Sequence, residues 1–245
     1  MTLAALADCA EIIVCDGGST DGTVEVARAA GARVLMQDTR FKRPDNKIAD
    51  FGGVRNQMLD AATYEWFMYV DSDELITPEL LAEIRGVVAA GVPAAFWMPR
   101  KYVISGMIIE CATTYPNRQM RLFHRSRVNR FIKTIHERIE VHGDAEIREL
   151  RNAMLVPLSA DPNEMRRKWA YYLDLECERR KNITFVGWVS VVLENAKVSV
   201  LYLFRLIRNM LLCRGTKMPL SLELQRHWYH LSMDIRLFRT FLARK

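Results

Sequence analysis

Short apolar runs alternate with segments of helical periodicity in the first part of the chain. Residues 11–15 are an apolar run typical of a buried parallel strand, and residues 23–30 continue with helical spacing that Gly31 closes. Residues 33–36 form a second apolar run, followed by a polar segment, 37–46, that predicts a mobile loop. The order strand, loop, helix, strand predicts a βαβ unit and therefore an α/β fold.

The same alternation continues into the middle of the chain. A helix is predicted over residues 48–62 and a third buried strand over residues 65–70. Thr77 and Pro78 are the residue types preferred at the N-cap and first position of a helix, which we expect to end near Gly91. Four further strands are predicted, at residues 94–99, 101–104, 119–124 and 138–141.

The last third of the chain has a helical pattern. Helices are predicted over residues 163–181, 188–213 and 220–243. A chain of 245 residues, half of them hydrophobic, is long enough for one large α/β domain with a helical appendage. We therefore predict an α/β domain over residues 1–160 and a helical region over residues 161–245.

Charge and cysteine content limit the classes of binding partner and the cellular compartment that fit this sequence. The chain carries 35 Lys and Arg against 29 Asp and Glu, and this excess suggests an anionic partner such as phosphate, phospholipid or nucleic acid. Its five cysteines are scattered without a C-x-x-C pair, so no disulfide framework is expected and a reducing cytoplasm fits. The start of the chain predicts no secretory signal. The longest apolar run, 183–193, is stopped by Glu194 and Lys197, so no transmembrane span is expected.

The strongest chemical feature is Asp71-Ser72-Asp73, which directly follows the third predicted strand. In an open α/β sheet, ligands bind at the edge formed by the C-terminal ends of the strands. Two carboxylates at i and i+2 of a turn can both reach one hard divalent cation, which then neutralises a diphosphate. The alternative is a solvated turn followed by an acidic helix N-terminus, which is common for this pattern taken alone.

A second acidic turn spans residues 16–23 (Asp-Gly-Gly-Ser-Thr-Asp-Gly-Thr) and follows the first predicted strand. Its glycines would let the backbone approach a ligand closely. Asp16 can accept a hydrogen bond from a base or ribose, while Ser19 or Asp21 can cap the following helix. A tight βα turn without a ligand would also explain this loop. Two acidic turns on one sheet edge favour a ligand site over either turn considered singly.

These two turns resemble the pattern of glycosyltransferase family 2, whose members have the GT-A fold. In that family a D-x-G-S-x-D-G-T loop follows the second strand and a D-x-D motif ends the fourth. Arg55-Asn56 matches the family's short A-R-N stretch before the D-x-D strand. Residues 115–123 (YPNRQMRLF) and 135–138 (IHER) resemble the subgroup containing lipopolysaccharide core β-1,4-glucosyltransferases, which carries a P-x-x-Q-x-R-L-F run and an H-E motif. The resemblance covers residues 8–142.

The resemblance implies a GT-A type, Rossmann-like fold: a mixed, mainly parallel sheet flanked by helices, here with a helical C-terminal extension. Family members begin with a strand and a P-x-Y-N-E-like loop that lines the nucleotide pocket. This sequence begins within what the resemblance identifies as the first helix, so we expect an N-terminally truncated domain or a start further upstream. Losing that central strand would expose unpaired backbone groups.

The resemblance also implies a nucleotide-sugar donor site that holds Mg or Mn. Asp16 would contact the nucleobase, and Asp71 the ribose and the metal region. Asp73 would bind the metal that bridges the diphosphate. Arg55 and Lys47 would meet the phosphates, where a cation adds to the neutralisation of charge. The implied donor-binding residues are Asp16, Gly18, Ser19, Asp21, Lys47, Arg55, Asp71, Gln119 and Arg121, and the implied metal ligands are Asp71 and Asp73.

Catalysis is assigned by the same resemblance. Glu137 would act as the general base, taking a proton from the acceptor hydroxyl as that oxygen attacks the anomeric carbon, and a single base with in-line attack gives inversion. His136 would orient this base or complete the metal shell; the alternative for the pair is an exposed strand edge. Gln119 and Arg121 would shape the donor-sugar pocket, although their alternation also suits an ordinary half-buried strand.

The helical region interleaves apolar, aromatic and basic residues over 198–212. Such interleaving suits a helix lying in the headgroup region, where Arg and Lys meet anionic lipids. The alternative is a helical subdomain packed on the catalytic domain or on a second subunit. His227 and His230 share a helix face without a third ligand nearby, so no zinc site is expected.

Together these features predict an inverting, metal-dependent glycosyltransferase that is peripheral on the cytoplasmic face of the cell membrane. The family-level donor is UDP-glucose, and the acceptor is a hydroxyl of a lipid-linked or lipopolysaccharide-type saccharide. One alternative is an inactive membrane-associated scaffold in which Asp71 and Asp73 are relics. Another is a nucleotidyltransferase, which would need a glycine-rich, basic phosphate loop that the sequence does not supply. No nucleic-acid-binding motif is present, so no nucleic-acid partner is expected.

Overall fold

A computed structural model describes residues 2–134 and 138–243 of the chain. By packing, the chain divides into two compact units. The first unit comprises Met1–Arg100 and Asn117–Val156, and the second comprises Lys101–Pro116 and Pro157–Lys245. The segment Lys101–Pro116 therefore groups with the C-terminal helices, and a domain boundary at residue 160 stays a prediction.

The elements alternate between strands and helices up to residue 90, and three long helices end the chain. In chain order they are α1 (Thr2–Ala5), β1 (Ile13–Asp16), α2 (Thr23–Ala29), β2 (Arg33–Met36), α3 (Phe51–Ala61), β3 (Trp66–Met68), α4 (Pro78–Ala90), β4 (Ala95–Ile104), β5 (Met107–Ile108), β6 (Arg118–His124), β7 (Val128–Ile132), β8 (Arg138–Val141), β9 (Ile147–Glu149), β10 (Met154–Pro157), α5 (Pro162–Arg179), α6 (Phe185–Leu212) and α7 (Leu220–Leu242).

The predicted βαβ unit is confirmed at the start of the chain. Strands β1 and β2 pair in parallel, with Ile13 opposite Arg33 and Asp16 opposite Met36, and α2 connects them. Gly31 follows α2 with a φ of 78°, the left-handed conformation that glycine adopts without steric cost at the end of a helix. These two strands form a two-stranded sheet of their own.

The larger sheet of six strands is mixed, as predicted, but it is less parallel than predicted. Its strand order is β10-β4-β6-β3, and β5 and β9 also pair with β4. Strand β6 runs antiparallel to both β4 and β3, whereas β9 runs parallel to β4. No helix separates β4 from β6 among the described residues, and strands joined without a crossover helix pair antiparallel.

Hydrophobic side chains on both faces of this sheet form the core of the first unit. Phe123 on β6 packs in a cluster with Leu59 of α3, while its neighbour Leu122 packs in a second cluster with Leu80 of α4. Successive side chains of a strand point to opposite faces, so α3 and α4 cover the two sides of the sheet. Phe123 and Leu80 are fully buried.

Several helix ends and strands agree with the sequence prediction. The Thr77 side chain accepts a hydrogen bond from the Leu80 N–H at the start of α4, and Gly91 ends the helix in the left-handed conformation. Residues 94–99 and 101–104, predicted as two strands, are one continuous strand, β4. The polar segment after β2 contains a 3-10 turn, Thr39–Phe41, capped by Asp38.

In the second unit, α7 packs against both α5 and α6. Leu173, Met233 and Leu237 form its buried centre.

Two features of the second unit differ from what the sequence predicted. Cys111 and Cys213 are joined as a disulfide although no disulfide framework was expected, because the fold brings together two Cα atoms 102 residues apart to 6.6 Å. Helix α6 is, by length and composition, long and apolar enough to cross a membrane, although no span was expected because Glu194 and Lys197 interrupt its apolar run.

Candidate donor-binding site

The first carboxylate of the Asp71-Ser72-Asp73 turn is held between two arginines. Asp71 follows β3 and its two oxygens accept from separate guanidinium groups, Oδ1 from Arg55 at 3.0 Å and Oδ2 from Arg121 at 2.9 Å. Arg55 comes from α3 and Arg121 from β6, so three elements of the first unit converge on one carboxylate. The structure thus brings together three of the predicted donor-site residues.

A second, fully buried carboxylate, that of Glu74, holds Arg121 and the acidic turn in place. Glu74 has no exposed surface and forms a bidentate ion pair with Arg121, with both N–O distances at 2.9 Å. It also accepts from Arg100 and from the backbone N–H of Asp71, the latter at 3.0 Å. Glu74 therefore fixes both the conformation of the acidic turn and the position of the arginine that reaches Asp71.

The guanidinium groups of Arg55 and Arg121 both lie over the ring of Tyr69, the second residue before Asp71. Their central carbons are 4.1 Å and 4.3 Å from the ring centroid. The negative face of an aromatic ring attracts cations, so Tyr69 helps to keep two like charges close together. Gln119 completes the arrangement by accepting from the Nε of Arg121 at 2.9 Å.

This surrounding charge keeps Asp71 ionised. Burial raises the pKa of Asp71, but the guanidinium charges of Arg121 and Arg55 outweigh it and lower the pKa to about 2. Asp71 is therefore a carboxylate throughout the physiological range. Three arginines against two carboxylates, Asp71 and Glu74, leave a net positive charge of one in the cluster, which favours an anion nearby.

The loop after β1 is organised by Asp16, whose side chain is buried. Its Oδ2 accepts from the backbone N–H groups of Gly18 and Ser19 at 2.7 Å and 2.9 Å, and its Oδ1 accepts from the Ser19 hydroxyl at 2.5 Å. The Ser19 hydroxyl is the main reason that the pKa of Asp16 is lowered. The Asp16 carboxylate thus accepts hydrogen bonds from within its own loop. The implied contact with a nucleobase stays a prediction.

Other residues of the loop have distinct roles. Gly18 has a φ of 96°, which favours glycine, and Asp21 accepts from the N–H and hydroxyl of Thr23 at the first residue of α2. Capping of α2 by Ser19 or Asp21 was predicted, but the N-cap residue is Gly22, no side chain among the described residues caps the helix start, and Asp21 bonds to Thr23 instead. The segment after β2 closes over this loop, because the Nζ of Lys42 donates to the carbonyl of Gly17 at 2.7 Å.

Lys47, predicted to meet the phosphates, lies in the same segment. Its Nζ is 3.6 Å from Asp45, and its side chain is 61% exposed. The structure places Lys42, which was not singled out from the sequence, directly on the backbone of the acidic loop instead. The residue spacing gave no signal for Lys42, because the contact depends on how the segment folds back.

Helix α3 connects the two acidic turns. Gln57 accepts from the N–H of Asp38 at 3.0 Å and donates to Met36, both beside β1, while Arg55 reaches Asp71 on the other side. Asn56, the other half of the Arg-Asn pair, exchanges two hydrogen bonds with the backbone of Phe131 in β7. The Arg-Asn pair therefore holds both the acidic turn and a strand that leads toward residue 135.

His136 and Glu137, the predicted catalytic residues, lie outside the described residues. The last described residue before them, Thr134, accepts from the N–H of Phe51 at 2.9 Å, so the N-terminus of α3 anchors the chain just ahead of them. Of the two predicted metal ligands, Asp73 is exposed in the turn, whereas both carboxylate oxygens of Asp71 are paired with Arg55 and Arg121. Among residues 2–134 and 138–243, no group of three His, Cys, Asp or Glu side chains is gathered as a metal site.

Sequence reasoning missed Glu74, Arg100 and Tyr69. Glu74 was visible as the fourth residue of the Asp-Ser-Asp-Glu run, but nothing local indicates that it is buried. Arg100 is 26 residues away along the chain and meets Glu74 only because β4 enters the sheet beside β6. Arg121 lies between the apolar residues Met120 and Leu122, and a charge between apolar neighbours was the one available signal for a buried ion pair.

Comparison with known proteins places these features in a family. The profile of Glycosyl transferase family 2 matches residues 2–144. A TPR repeat-containing protein of Synechococcus elongatus is 32% identical over 130 residues, which are 53% of this chain and 29% of that protein. The SPbeta prophage-derived glycosyltransferase SunS of Bacillus subtilis is 34% identical over 77 residues, 31% of this chain and 17% of that protein. The chain thus spans less than a third of the length of these curated relatives.

A solved structure is also similar. The crystal structure of S. aureus TarS in complex with UDP has a TM-score of 0.43 and 15% sequence identity, with 99% of this chain and 86% of that chain covered. The family profile covers more than half of the chain, including both acidic turns, α3 and β6. The chain therefore belongs to glycosyl transferase family 2, and its α/β architecture with C-terminal helices is the predicted GT-A type.

Proposed function

We propose that the chain transfers a sugar from a nucleoside-diphosphate donor to a saccharide hydroxyl with inversion. The observation that carries this proposal is the placement of Asp71 between Arg55 and Arg121, with exposed Asp73 beside it, at the C-terminal end of a sheet strand. A fixed carboxylate flanked by the guanidinium groups of Arg55 and Arg121 suits a diphosphate better than it suits a neutral ligand.

In this proposal Asp73 would hold a divalent ion, Mg or Mn, whose charge would neutralise that of the diphosphate. Such ions are commonly held by one or two carboxylates together with water and phosphate oxygens, so the exposed oxygens of Asp73 fit the donor set. Asp71 has both oxygens engaged by arginines and acts chiefly by fixing those arginines. Arg55 and Arg121 then present positive charge to the diphosphate side of the site.

The remaining roles follow the family resemblance. Asp16 shapes the loop, with Gly18, Ser19 and Asp21, against which the nucleoside would lie. Glu137 takes the proton of the attacking hydroxyl, and His136 orients it. We further propose UDP-glucose as the donor and a lipid-linked or lipopolysaccharide-type saccharide as the acceptor. That acceptor would place the protein at the cytoplasmic face of the cell membrane.

The experiment that tests the donor site is calorimetric titration of UDP with and without Mn²⁺. We expect binding that needs the metal, and we expect Asp73→Ala to weaken it by at least about tenfold, because the exposed carboxylate holds the ion. Asp144→Ala is the matched control: this carboxylate is also exposed, belongs to the same unit and pairs only loosely with Arg127 at 3.5 Å.

Two results would contradict the proposal. One is equal, metal-independent binding by the parent chain and Asp73→Ala. The other is a folded parent chain that binds neither UDP nor GDP, which would favour an inactive scaffold. If donor binding is present, hydrolysis of UDP-glucose by the parent chain and its loss in Glu137→Gln would test the predicted base.

A further inference from the structure

The outer side of α6 carries a stripe of exposed apolar residues. Its residues recur at helical spacing and are each more than half exposed, from 51% for Ile207 to 77% for Leu211. The opposite side of the helix packs on α7, where Leu206 and Asn209 are buried. Exposed apolar surface of this extent marks an interaction site in most proteins. The stripe comprises Val186, Leu193, Val200, Phe204, Ile207 and Leu211.

The two halves of α6 differ in character. In the N-terminal half the stripe is interrupted by exposed Ser190, Glu194 and Lys197. In the C-terminal half, residues 200–212, the exposed positions are apolar apart from Arg208. The apolar character is therefore concentrated at the C-terminal end of the helix.

A hairpin adds two more apolar side chains at this end. Strands β4 and β5 turn through Ser105 and Gly106, and Met107 and Ile108 are exposed immediately after the turn. The hairpin continues to Cys111, whose N–H donates to Thr216 and whose sulfur meets Cys213 just after α6. We call the combined surface the apolar tip: Met107, Ile108, Phe204, Ile207, Leu211 and Leu212.

Positive charge predominates around the apolar tip. Glu110, an acid of the hairpin, accepts from the Thr216 N–H at 3.0 Å, but the sequence from Leu201 to Leu220 contains four cations and no acidic residue. Arg208, Arg214 and Lys217 are exposed among them. Basic side chains around an apolar surface are complementary to anionic lipid headgroups, which lie above the acyl chains. In a two-fold dimer formed through the same surface, these cations would face their own copies and repel one another.

The connection between α6 and α7 argues against a membrane span. Helix α6 is long enough, at about 42 Å, to cross a bilayer. However, Asn195 donates to the Asp234 carboxylate and Trp188 to the Asp234 carbonyl, both on α7. If α6 crossed the bilayer, Asp234 of α7 would be drawn into the hydrocarbon core, at a considerable cost in free energy. Insertion of one end avoids that cost.

We propose that the apolar tip inserts into the boundary between headgroups and acyl chains of an anionic membrane. Arg208, Arg214 and Lys217 then contact lipid phosphates while Phe204, Ile207, Leu211 and Leu212 enter the apolar layer. This attachment deepens the proposed function, because it would bring the enzyme to the surface where a lipid-linked acceptor is found. It does not depend on the donor site being active.

Flotation with vesicles tests the proposal on the full chain. We expect the protein to float with vesicles of phosphatidylcholine and phosphatidylglycerol in equal amounts, and binding to fall with added salt and in pure phosphatidylcholine. Leu211→Glu should lower the bound fraction at least tenfold, and Arg214→Glu should lower it less. Leu193→Glu is the matched control, since Leu193 is 65% exposed on the same helix outside the apolar tip.

Each other result would overturn the proposal. Equal losses in Leu193→Glu and Leu211→Glu would indicate that the whole helix is engaged, and resistance of the bound protein to alkaline carbonate would indicate a span. A dimer in sedimentation that Leu211→Glu dissociates would assign the surface to a second copy. Thermal melting and UDP titration of each variant show whether the fold and the donor site are intact, so a failure here is distinguishable from a failure of the proposed function.

Discussion

At the scale of single residues, the site depends on a carboxylate that is itself not exposed. Glu74 bonds Arg121, Arg100 and the Asp71 backbone, and it has no exposed surface. In the proposed site Asp71 and Asp73 would face the ligand, while Glu74 fixes the turn by accepting from the Asp71 N–H. A buried charge of this kind is stable only while its partners remain in place.

We expect Glu74→Gln to lower the free energy of unfolding by about 3 kcal/mol, because it leaves Arg100 and Arg121 buried with too little negative charge. Urea denaturation measures this change, and UDP titration should show weaker binding by the variant. Glu149→Gln is the control, since the Glu149–Arg118 pair is about half exposed and its removal should cost less than about 1 kcal/mol. Equal losses in the two variants would contradict this role for Glu74.

At the scale of elements, α3 is fitted closely against its neighbours at its first turn. A methyl group on Gly52 would overlap the carbonyl oxygen of Lys133, and one on Gly53 would overlap the ring of Phe41. Gly86 in α4 faces open space by contrast. The same residue type therefore serves close packing in one helix and has no packing role in the other.

We expect Gly52→Ala to destabilise the protein by about 1–3 kcal/mol, because overlap with a backbone oxygen outweighs the better helix propensity of alanine. Gly86→Ala should stabilise it by up to about 1 kcal/mol, because only the propensity changes. Thermal melting of the two variants should thus shift in opposite directions. A stabilised Gly52→Ala would show that α3 can move away from residue 133.

At the scale of the whole molecule, the second unit is assembled from two distant parts of the chain. Glu223 on α7 is buried and accepts from the backbone N–H of Thr113 at 2.9 Å and from its hydroxyl. Arg205 on α6 donates to the carbonyl of Thr113 at 3.1 Å. The segment Lys101–Pro116 is thereby tied to helices that begin more than forty residues later.

Hydrogen exchange should reveal this assembly. In Glu223→Ala the Thr113 amide loses its acceptor, so we expect its exchange to become at least about tenfold faster, which corresponds to about 1.4 kcal/mol. Exchange in β6 of the first unit should be unchanged. Glu164→Ala, an exposed acid in the first turn of α5, is the control. An unchanged Thr113 amide in Glu223→Ala would show that other contacts hold this segment.

The predictability of each element follows from how local its signal is. Helix α4 could be placed from periodicity and its capping residues, and α7 from periodicity alone, because these signals are encoded in neighbouring positions. Strand β9 could not, because Ile147, Arg148 and Glu149 are all exposed and show no alternation of burial. Strand β7 lies among basic residues, and its pairing with β8 contains a register shift between Val128 and Phe131 that no local pattern signals.

In the candidate site, too, the features with a local sequence signal were predictable and those that join distant residues were not. The two acidic turns were predictable because each follows an apolar strand, but their predicted place on one sheet edge is not what the structure shows: β1 belongs to the two-stranded sheet and β3 to the six-stranded sheet. The partners of Asp71 were not predictable as ion pairs, since Arg55 is 16 residues before it and Arg121 is 50 residues after it. Their convergence depends on β6 lying beside β3.

By itself the sequence determined the α/β class, the βαβ start, the three C-terminal helices and the family, because periodicity, turn residues and short motifs are properties of neighbouring positions. Only the tertiary structure decided which charges pair around Asp71, the antiparallel setting of β4 and β6, the meeting of Cys111 with Cys213, and the apolar tip of the second unit. These features join residues tens of positions apart. Side-chain burial and contact at such separations are set by packing, which leaves no mark on the local pattern.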